Sequence, residues 1–329
     1  MKKLINDVDS LLVESLEGFA AAHADIVTLG EAGAFVRRRT LKEGRVALIS
    51  GGGSGHEPLH SGFVGHGMLD AACPGQVFTS PTPDQMLGAA QSVDTGAGVL
   101  FIVKNYSGDM MNFQMAAEMV ACDNATVIVN DDVAVEDSTY TTGRRGVAGT
   151  LIVEKIIGAA AERGDSLAAL KALGDSVNKA TASMGVALTS CTVPAAGKPT
   201  FQIGADEMEM GVGIHGEPGR RRVKLASADD IAAELTGAIL KDLSLKPGHE
   251  VLLLVNGFGG TPLLELYLMV NAARKVLGGA GIKVVRFLTG SYVTSLEMAG
   301  CSITVSAADP ATLALWDAPV HTAALRWGL

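Results

Sequence analysis

Val46-Ala47-Leu48-Ile49-Ser50-Gly51-Gly52-Gly53-Ser54-Gly55-His56-Glu57-Pro58 runs from a short apolar stretch into glycines and ends on a histidine. Residues 46–49 read as a buried strand. Four glycines in the five positions 51–55 let the backbone turn sharply and approach a small ligand, because no Cβ stands in the way. A histidine straight after such a loop sits at the mouth of the strand, where open α/β sheets hold their ligands. The loop therefore predicts a small-molecule pocket with a titratable group already in it.

The loop is not a nucleotide cradle. A dinucleotide fingerprint from Gly51 needs glycine at its sixth place, which is His56. A phosphate loop needs Gly-Lys followed by Ser or Thr, but Gly197-Lys198 precedes Pro199. The second glycine-rich turn, Gly257-Phe258-Gly259-Gly260-Thr261-Pro262, fails the dinucleotide pattern at Pro262.

Continuous apolar runs of strand length recur at 99–103 and 126–129, then at 251–255, 282–288 and 303–305. Such runs fit strands covered on both faces. Between them lie helix starts. Thr82-Pro83-Asp84-Gln85 is a capping box with proline at the first helical position. Ser227-Ala228-Asp229-Asp230 opens an amphipathic stretch to about 243, and Thr261-Pro262 opens another toward 276. Strands alternating with helices predict an α/β protein with largely parallel or mixed sheets. At 329 residues, two domains are the default expectation. Residues 180–225 are rich in Gly and Pro and poor in helical periodicity, and read as the crossing between them. The division expected is 1–185, carrying the His56 loop and Asp109, and 186–329, carrying His215.

Hydrophobic residues make up 48% of the chain and charged ones 19%, ample for large cores. A net charge of −9 disfavours binding to nucleic acid, whose phosphates would repel it. The basic run Arg220-Arg221-Arg222-Val223-Lys224 reads as a solvated loop sooner than as a phosphate or protein contact. Cys73, Cys122, Cys191 and Cys301 are far apart, which is neither a disulfide framework nor a zinc site. Met1-Lys2-Lys3 leads into an acidic amphipathic segment, no signal peptide is evident, and no apolar stretch approaches the ~20 residues of a membrane span. A cytoplasmic protein is the expectation.

Three elements are candidates to share one pocket. His56 is either a loop histidine bonding nearby backbone or the pocket's titratable group. Lys104-Asn105-Tyr106-Ser107-Gly108-Asp109 follows the strand 99–103, and Asp109 precedes a predicted helix, 110–120. Asp109 is thus a candidate N-cap, a role compatible with orienting a histidine or accepting from a substrate hydroxyl. His215 lies in Gly211-Val212-Gly213-Ile214-His215-Gly216-Glu217-Pro218-Gly219, which repeats the local design of the first loop: histidine, then Glu-Pro, with glycines on both sides. His23, His60, His66, His249 and His321 lack this setting and read as satisfied surface or core residues. His56 and His60 have helical spacing, but Pro58 between them argues against a zinc-binding helix. Asn130-Asp131-Asp132 reads as a cation site or as solvated or capping carboxylates. Arg144-Arg145 reads as an anion grip or a bridge between domains, and Trp316 and Trp327 as packing anchors for the tail.

These stretches, with Thr79-Ser80-Pro81-Thr82-Pro83-Asp84, Thr142-Gly143-Arg144-Arg145-Gly146-Val147-Ala148-Gly149, Cys191-Thr192-Val193-Pro194-Ala195-Ala196-Gly197-Lys198-Pro199 and Leu315-Trp316-Asp317-Ala318-Pro319-Val320-His321-Thr322, carry a resemblance over essentially the whole chain. The sequence closely resembles the dihydroxyacetone-binding subunits (subunit K) of bacterial dihydroxyacetone kinases. The resemblance implies a two-domain α/β protein that holds a short ketose covalently while another component donates phosphate. It implies that His215 attacks the substrate carbonyl to form a hemiaminal and that His56 is general base toward the terminal hydroxyl. Asp109 would hydrogen-bond the substrate and support that role, with Gly53, Ser54, Gly55 and Lys104 lining the pocket. It implies no cofactor and no metal on this chain, a homodimer, and two partners: a helical subunit (subunit L) carrying Mg-ADP, and a phosphocarrier (subunit M) of the phosphoenolpyruvate phosphotransferase system. Other members carry an ATP-using domain on the same chain. A non-catalytic sensor of the same ketose and a kinase for a four-carbon ketose such as erythrulose are the competing readings. The segment between about 243 and 251 looks shorter than in enterobacterial members, and the run 220–224 looks particular to this chain.

Overall fold

A computed structural model describes residues 2–135, 140–217 and 219–329. Met1 and Pro218, both within stretches singled out above, lie outside the described residues. The chain opens with α1 (Leu11–Ala22), β1 (Val27–Leu29), β2 (Val36–Arg38), β3 (Ala47–Ser54), β4 (Gly65–His66) and β5 (Ala71–Val77). Then come α2 (Pro83–Val93), β6 (Val99–Lys104), α3 (Ser107–Met119), β7 (Asn124–Val129), α4 (Gly149–Arg163) and α5 (Leu167–Lys179). After them lie β8 (Thr181–Ala187), β9 (Glu207–Met210), β10 (Arg221–Lys224), α6 (Ala228–Leu243), β11 (Glu250–Gly257) and α7 (Leu263–Gly279). The last elements are β12 (Lys283–Gly290), β13 (Gly300–Ala307), α8 (Pro310–Asp317), β14 (Val320–Thr322) and β15 (Arg326–Trp327).

The first sheet has the order β1-β2-β5-β3-β6-β7. Its four strands from β5 to β7 run parallel; the continuous apolar runs predict three of them, β3, β6 and β7, and not β5. The second sheet, β10-β9-β8-β13-β11-β12, is mixed, with only β11 and β12 parallel. Residues 180–225, expected as a crossing, instead supply the antiparallel strands β8, β9 and β10. Gly185, the last residue of the expected first domain, sits inside β8, all of which belongs to the second sheet. The basic run 220–224 is an edge strand rather than a loop: β10 pairs with β9, and Arg220 donates to the carbonyls of Val133 and Ala134, both at 2.6 Å.

Capping chemistry starts the helices where the sequence predicts. The Thr82 N–H donates to Gln85 Oε1 at 2.9 Å, and the Ser227 hydroxyl accepts from the Asp230 N–H at 3.2 Å. α4 is mostly apolar (Leu151, Ile152, Val153, Ile156, Ile157), with Glu154 and Lys155 buried among these residues, and such a helix must be covered on nearly every face. It is wedged between the sheets, against β6 and β7 on one side and β8 and β13 on the other. Leu100, Ile156, Leu252 and Phe258 belong to one apolar cluster that joins the two halves. The tail crosses back: β14 pairs with β4 of the first half, and Trp316 packs on Trp327 with ring centroids 5.7 Å apart.

The polar groups left open by the sequence settle into bridges. Asp131 accepts from the N–H groups of Val147 and Gly149 and the Ser183 hydroxyl. Arg145 is fully buried on Asp132 and on the Gly211 carbonyl, and Arg144 pairs with Asp242. Both arginines therefore link the two halves. Among the described residues no helix is long and apolar enough to cross a membrane.

Candidate active site

The glycines of the opening stretch are strand, not loop: β3 continues to Ser54. Close neighbours explain why glycine is needed there. A Cβ on Gly51 would stand 2.5 Å from the Cys73 carbonyl oxygen, and one on Gly53 would stand 2.6 Å from the Thr79 nitrogen. A Cβ on Gly52 would collide with Lys104 Nζ. The turn comes only at Gly55, whose φ is +101°, a conformation that favours glycine.

That turn delivers His56 to the second half. The Leu296 N–H donates to the Gly55 carbonyl at 2.8 Å, and the Thr294 N–H to that of His56 at 3.2 Å. The ring Nδ1 of His56 lies 2.7 Å from the Thr294 carbonyl oxygen, and Phe78 stacks on the ring at 5.0 Å between centroids. His215 arrives on its own glycine turn, with Gly216 at φ +73°. The likeness of the two loops has a common physical basis. In each, the glutamate carboxylate accepts a backbone N–H two residues back: Glu57 from Gly55 at 2.9 Å, Glu217 from His215 at 2.9 Å. Glu217 also takes the His215 ring, Nδ1 to Oε1 at 3.1 Å.

The two loops bring His56 Nε2 and His215 Nε2 to 3.0 Å. Hydrogen-bond roles follow from the partners. A carbonyl and a carboxylate only accept, so both Nδ1 atoms donate and both Nε2 atoms face inward. A proton between these two nitrogens is shared by the pair. Burial, then the positive charges of His215 and Lys104, holds His56 well below the usual histidine range and keeps that ring neutral. Burial opposes ionisation of Glu217, but His215 and the Arg145 guanidinium outweigh it and hold the carboxyl down at about 2.

Asp109 is the third residue of α3, not its N-cap, because the helix begins at Ser107. Its carboxylate is buried, with Oδ2 3.7 Å from Lys104 Nζ and Oδ1 without a hydrogen-bond partner. A cleft of about 510 Å3 is lined by Gly53, Phe78, Thr79, Ser80, Tyr106, Gly108, Asp109, Asn112, Tyr140, Val193, Thr200 and His215. Gly53, Asp109 and His215 thus stand on its wall, with His56 behind the His215 ring. Lys104 is buried beneath the glycine strand. Ser54 turns its hydroxyl to the Gly75 carbonyl at 2.7 Å, and Gly55 serves the turn. Sequence reasoning missed Phe78, Thr79, Ser80, Tyr106 and Thr294. The first four lie in or beside quoted motifs, whereas Thr294 carries no sequence signal at all. Among the described residues, no group of three His, Cys, Asp or Glu side chains is placed to hold a metal ion.

The His56 environment sets a pH dependence. Unfolded, the ring takes up a proton near 6.5; folded, it does so only well below that. The folded state binds fewer protons in this window, so this ring's contribution is intact above pH 6.5 and is lost as pH falls, by up to about 1.4 kcal/mol per pH unit. Chemical denaturation at pH 7 and pH 5 should show the wild type losing more stability than His56→Asn. Parallel losses would refute the assignment of a neutral buried ring.

The sequence of the dihydroxyacetone-binding subunit of the PEP-dependent dihydroxyacetone kinase of Escherichia coli is 49% identical over 356 residues, covering 100% of both chains. That of the PTS-dependent dihydroxyacetone kinase 1 of Listeria innocua is 52% identical over 308 residues, covering 93% of this chain and 94% of its own. Among solved structures, a dihydroxyacetone kinase operon co-activator superposes with a TM-score of 0.90 at 34% identity, over 97% of this chain and 98% of that one. The dihydroxyacetone kinase of C. freundii gives 0.89 at 34% identity, over 98% of this chain and 60% of the longer one. The Dak1 domain pattern matches residues 17–324, and the chain accordingly belongs to the Dak1 domain family.

Proposed function

We propose that this chain is the dihydroxyacetone-binding subunit of a dihydroxyacetone kinase, holding the ketose as a hemiaminal on His215 while a partner donates phosphate. The observation that carries the reading is the pair of ring nitrogens 3.0 Å apart beside the Asp109 carboxylate. The proton between the rings passes to His56, which frees the lone pair of His215 Nε2. That nitrogen forms a bond to the ketone carbon, the carbonyl π electrons move to oxygen, and the oxygen takes the proton from His56. The His215 ring is left positively charged opposite the Glu217 carboxylate, which stabilises the adduct. His56 is neutral again, its Nε2 lone pair free for the terminal hydroxyl.

Transfer then needs alignment, charge stabilisation at phosphorus and removal of the hydroxyl proton. His56 takes that proton as general base, and the unpartnered Asp109 Oδ1 accepts from the substrate. Glycerol has the hydroxyls but no carbonyl, so covalent capture excludes it. The glycine-rich stretch is a strand and forms no phosphate cradle, which fits a donor on a helical partner subunit carrying Mg-ADP and recharged by a phosphocarrier. Intact-mass analysis of the chain with dihydroxyacetone should show one added ketose, and the chain alone with ATP should yield no dihydroxyacetone phosphate. An unshifted mass for the wild type, or turnover without a partner, would sink the reading.

The subunit works as a homodimer. β12 is an edge strand whose backbone groups can pair with a second copy. The exposed apolar side chains Leu263, Leu264, Tyr267, Leu268 and Phe287 lie on α7 and β12. Sedimentation should give twice the 33.8 kDa chain mass, and Leu264→Lys with Phe287→Lys should shift it to the monomer. A wild-type monomer would rule the dimer out.

A further inference from the structure

Beneath the glycine strand lies a line of buried polar groups, of which only the last, Asp109, takes a direct part in the proposed transfer step. Lys104 Nζ donates to the Gly51 carbonyl at 3.1 Å and lies 2.8 Å from His60 Nε2. His60 Nδ1 lies 2.6 Å from Glu154 Oε1, on the part of helix α4 that is buried throughout. At the other end, Lys104 Nζ faces Asp109 Oδ2 at 3.7 Å. The line therefore runs Glu154, His60, Lys104, Asp109, and its last member stands on the cleft wall.

We propose that Glu154 and His60 are positioning residues: Glu154 fixes His60 in the Nδ1–H tautomer, so that Nε2 accepts from the Lys104 ammonium and holds it against Asp109. An ammonium only donates, so the ring nitrogen facing it must accept. Burial, with the Lys104 charge, holds His60 well below the usual histidine range, so the neutral ring carries a single N–H. That N–H must then be on Nδ1, and only an accepting oxygen at Glu154 is compatible with it. Free imidazole has no such constraint; the carboxylate imposes it. Burial pushes the Glu154 carboxyl up to about 8, against the pull of Lys104. A carboxyl proton on Oε2, which has no hydrogen-bond partner, leaves Oε1 free to accept from Nδ1–H in either ionisation state. A proton on Oε1 would instead shift the ring's N–H to Nε2 and set two donors 2.8 Å apart, so the Lys104 ammonium disfavours that placement.

The function of this line rests on the proposed role of Asp109, whereas its tautomer does not. Nitrogen-15 NMR of the full chain should show His60 protonated at Nδ1 and bare at Nε2. Glu154→Met, which removes the acceptor and keeps an apolar side chain of similar length in the core, should leave the Nδ1–H unbonded and free the ring, so that the Nε2–H tautomer is populated as well and Lys104 loses its contact with the ring. It should also lower kcat with the complete partner system by roughly 10²-fold, the scale of a small misplacement at the reacting centre, with little change in adduct formation. Glu154→Gln keeps an acceptor oxygen, so it should retain the Nδ1–H tautomer and more of kcat than Glu154→Met, and it covers the case in which the methionine variant does not fold. An Nε2–H tautomer in the wild type overturns the proposal, whatever the turnover. So does a folded Glu154→Met with wild-type kcat. If the wild type forms no adduct while His60 shows the expected tautomer, the capture reading falls and the tautomer assignment stands.

Discussion

His56→Asn is expected to lower turnover with the partner system by roughly 10²–10⁴-fold, the usual worth of a positioned general base. Asparagine can still donate to the Thr294 carbonyl, so the loop stays in place, but it has no lone pair able to take a proton. The equilibrium amount of hemiaminal should be unchanged, because His215 remains, while its rate of formation slows for want of the proton that His56 delivers. Intact mass reads the first, stopped-flow mixing with the ketose the second. The acid limb of the wild-type rate should lie well below pH 6.5, since the working form is the neutral ring and its folded pKa is depressed. Unchanged turnover in the variant would remove His56 from the chemistry.

His215→Ala should abolish the mass shift altogether and lower turnover by roughly 10³-fold, the orientation supplied by the tether. The residual rate should no longer distinguish dihydroxyacetone from glycerol, since both then depend on the hydroxyl contacts alone. The substitution removes an imidazole whose side chain is partly exposed at the cleft, so the fold should survive it. A shifted mass in the variant would place the covalent bond on another residue.

Three of the four parallel strands, β3, β6 and β7, were legible as unbroken apolar runs, although β7 is only partly covered; β5, with Pro74, Gly75 and Gln76 in it, was not. β3 was legible only to Ile49. Glycine's poor strand propensity hid the remaining residues, and the reason they are glycines, Lys104 and Phe78 pressing on the backbone, is a tertiary fact with no local trace. β8 to β10 were missed for a related reason. Short antiparallel strands separated by Gly and Pro carry little periodicity, and Arg221 to Lys224 sit on an exposed edge. The two histidine loops stood out because their shared Glu-Pro pattern has a local job, the glutamate holding the turn. His60 did not. Its partners, Lys104 and Glu154, are 44 and 94 positions away, and such distant hydrogen bonds leave no spacing to read. Asp109 was placed one turn too early because Ser107 and Gly108, poor helix formers, nonetheless begin α3.

The clasp between Gly55-His56 and Thr294-Leu296 bears on how the molecule comes into being. His56 leaves the ribosome early, yet the carbonyl that orients its ring follows 238 positions later, and β4 waits for β14 at Val320–Thr322. A chain that ends before Thr294 has β3, β6 and β7 but not the carbonyl that orients His56 beside His215. On the proposed capture chemistry, a chain that has not yet reached Thr294 would not hold His56 in place to react with a ketone.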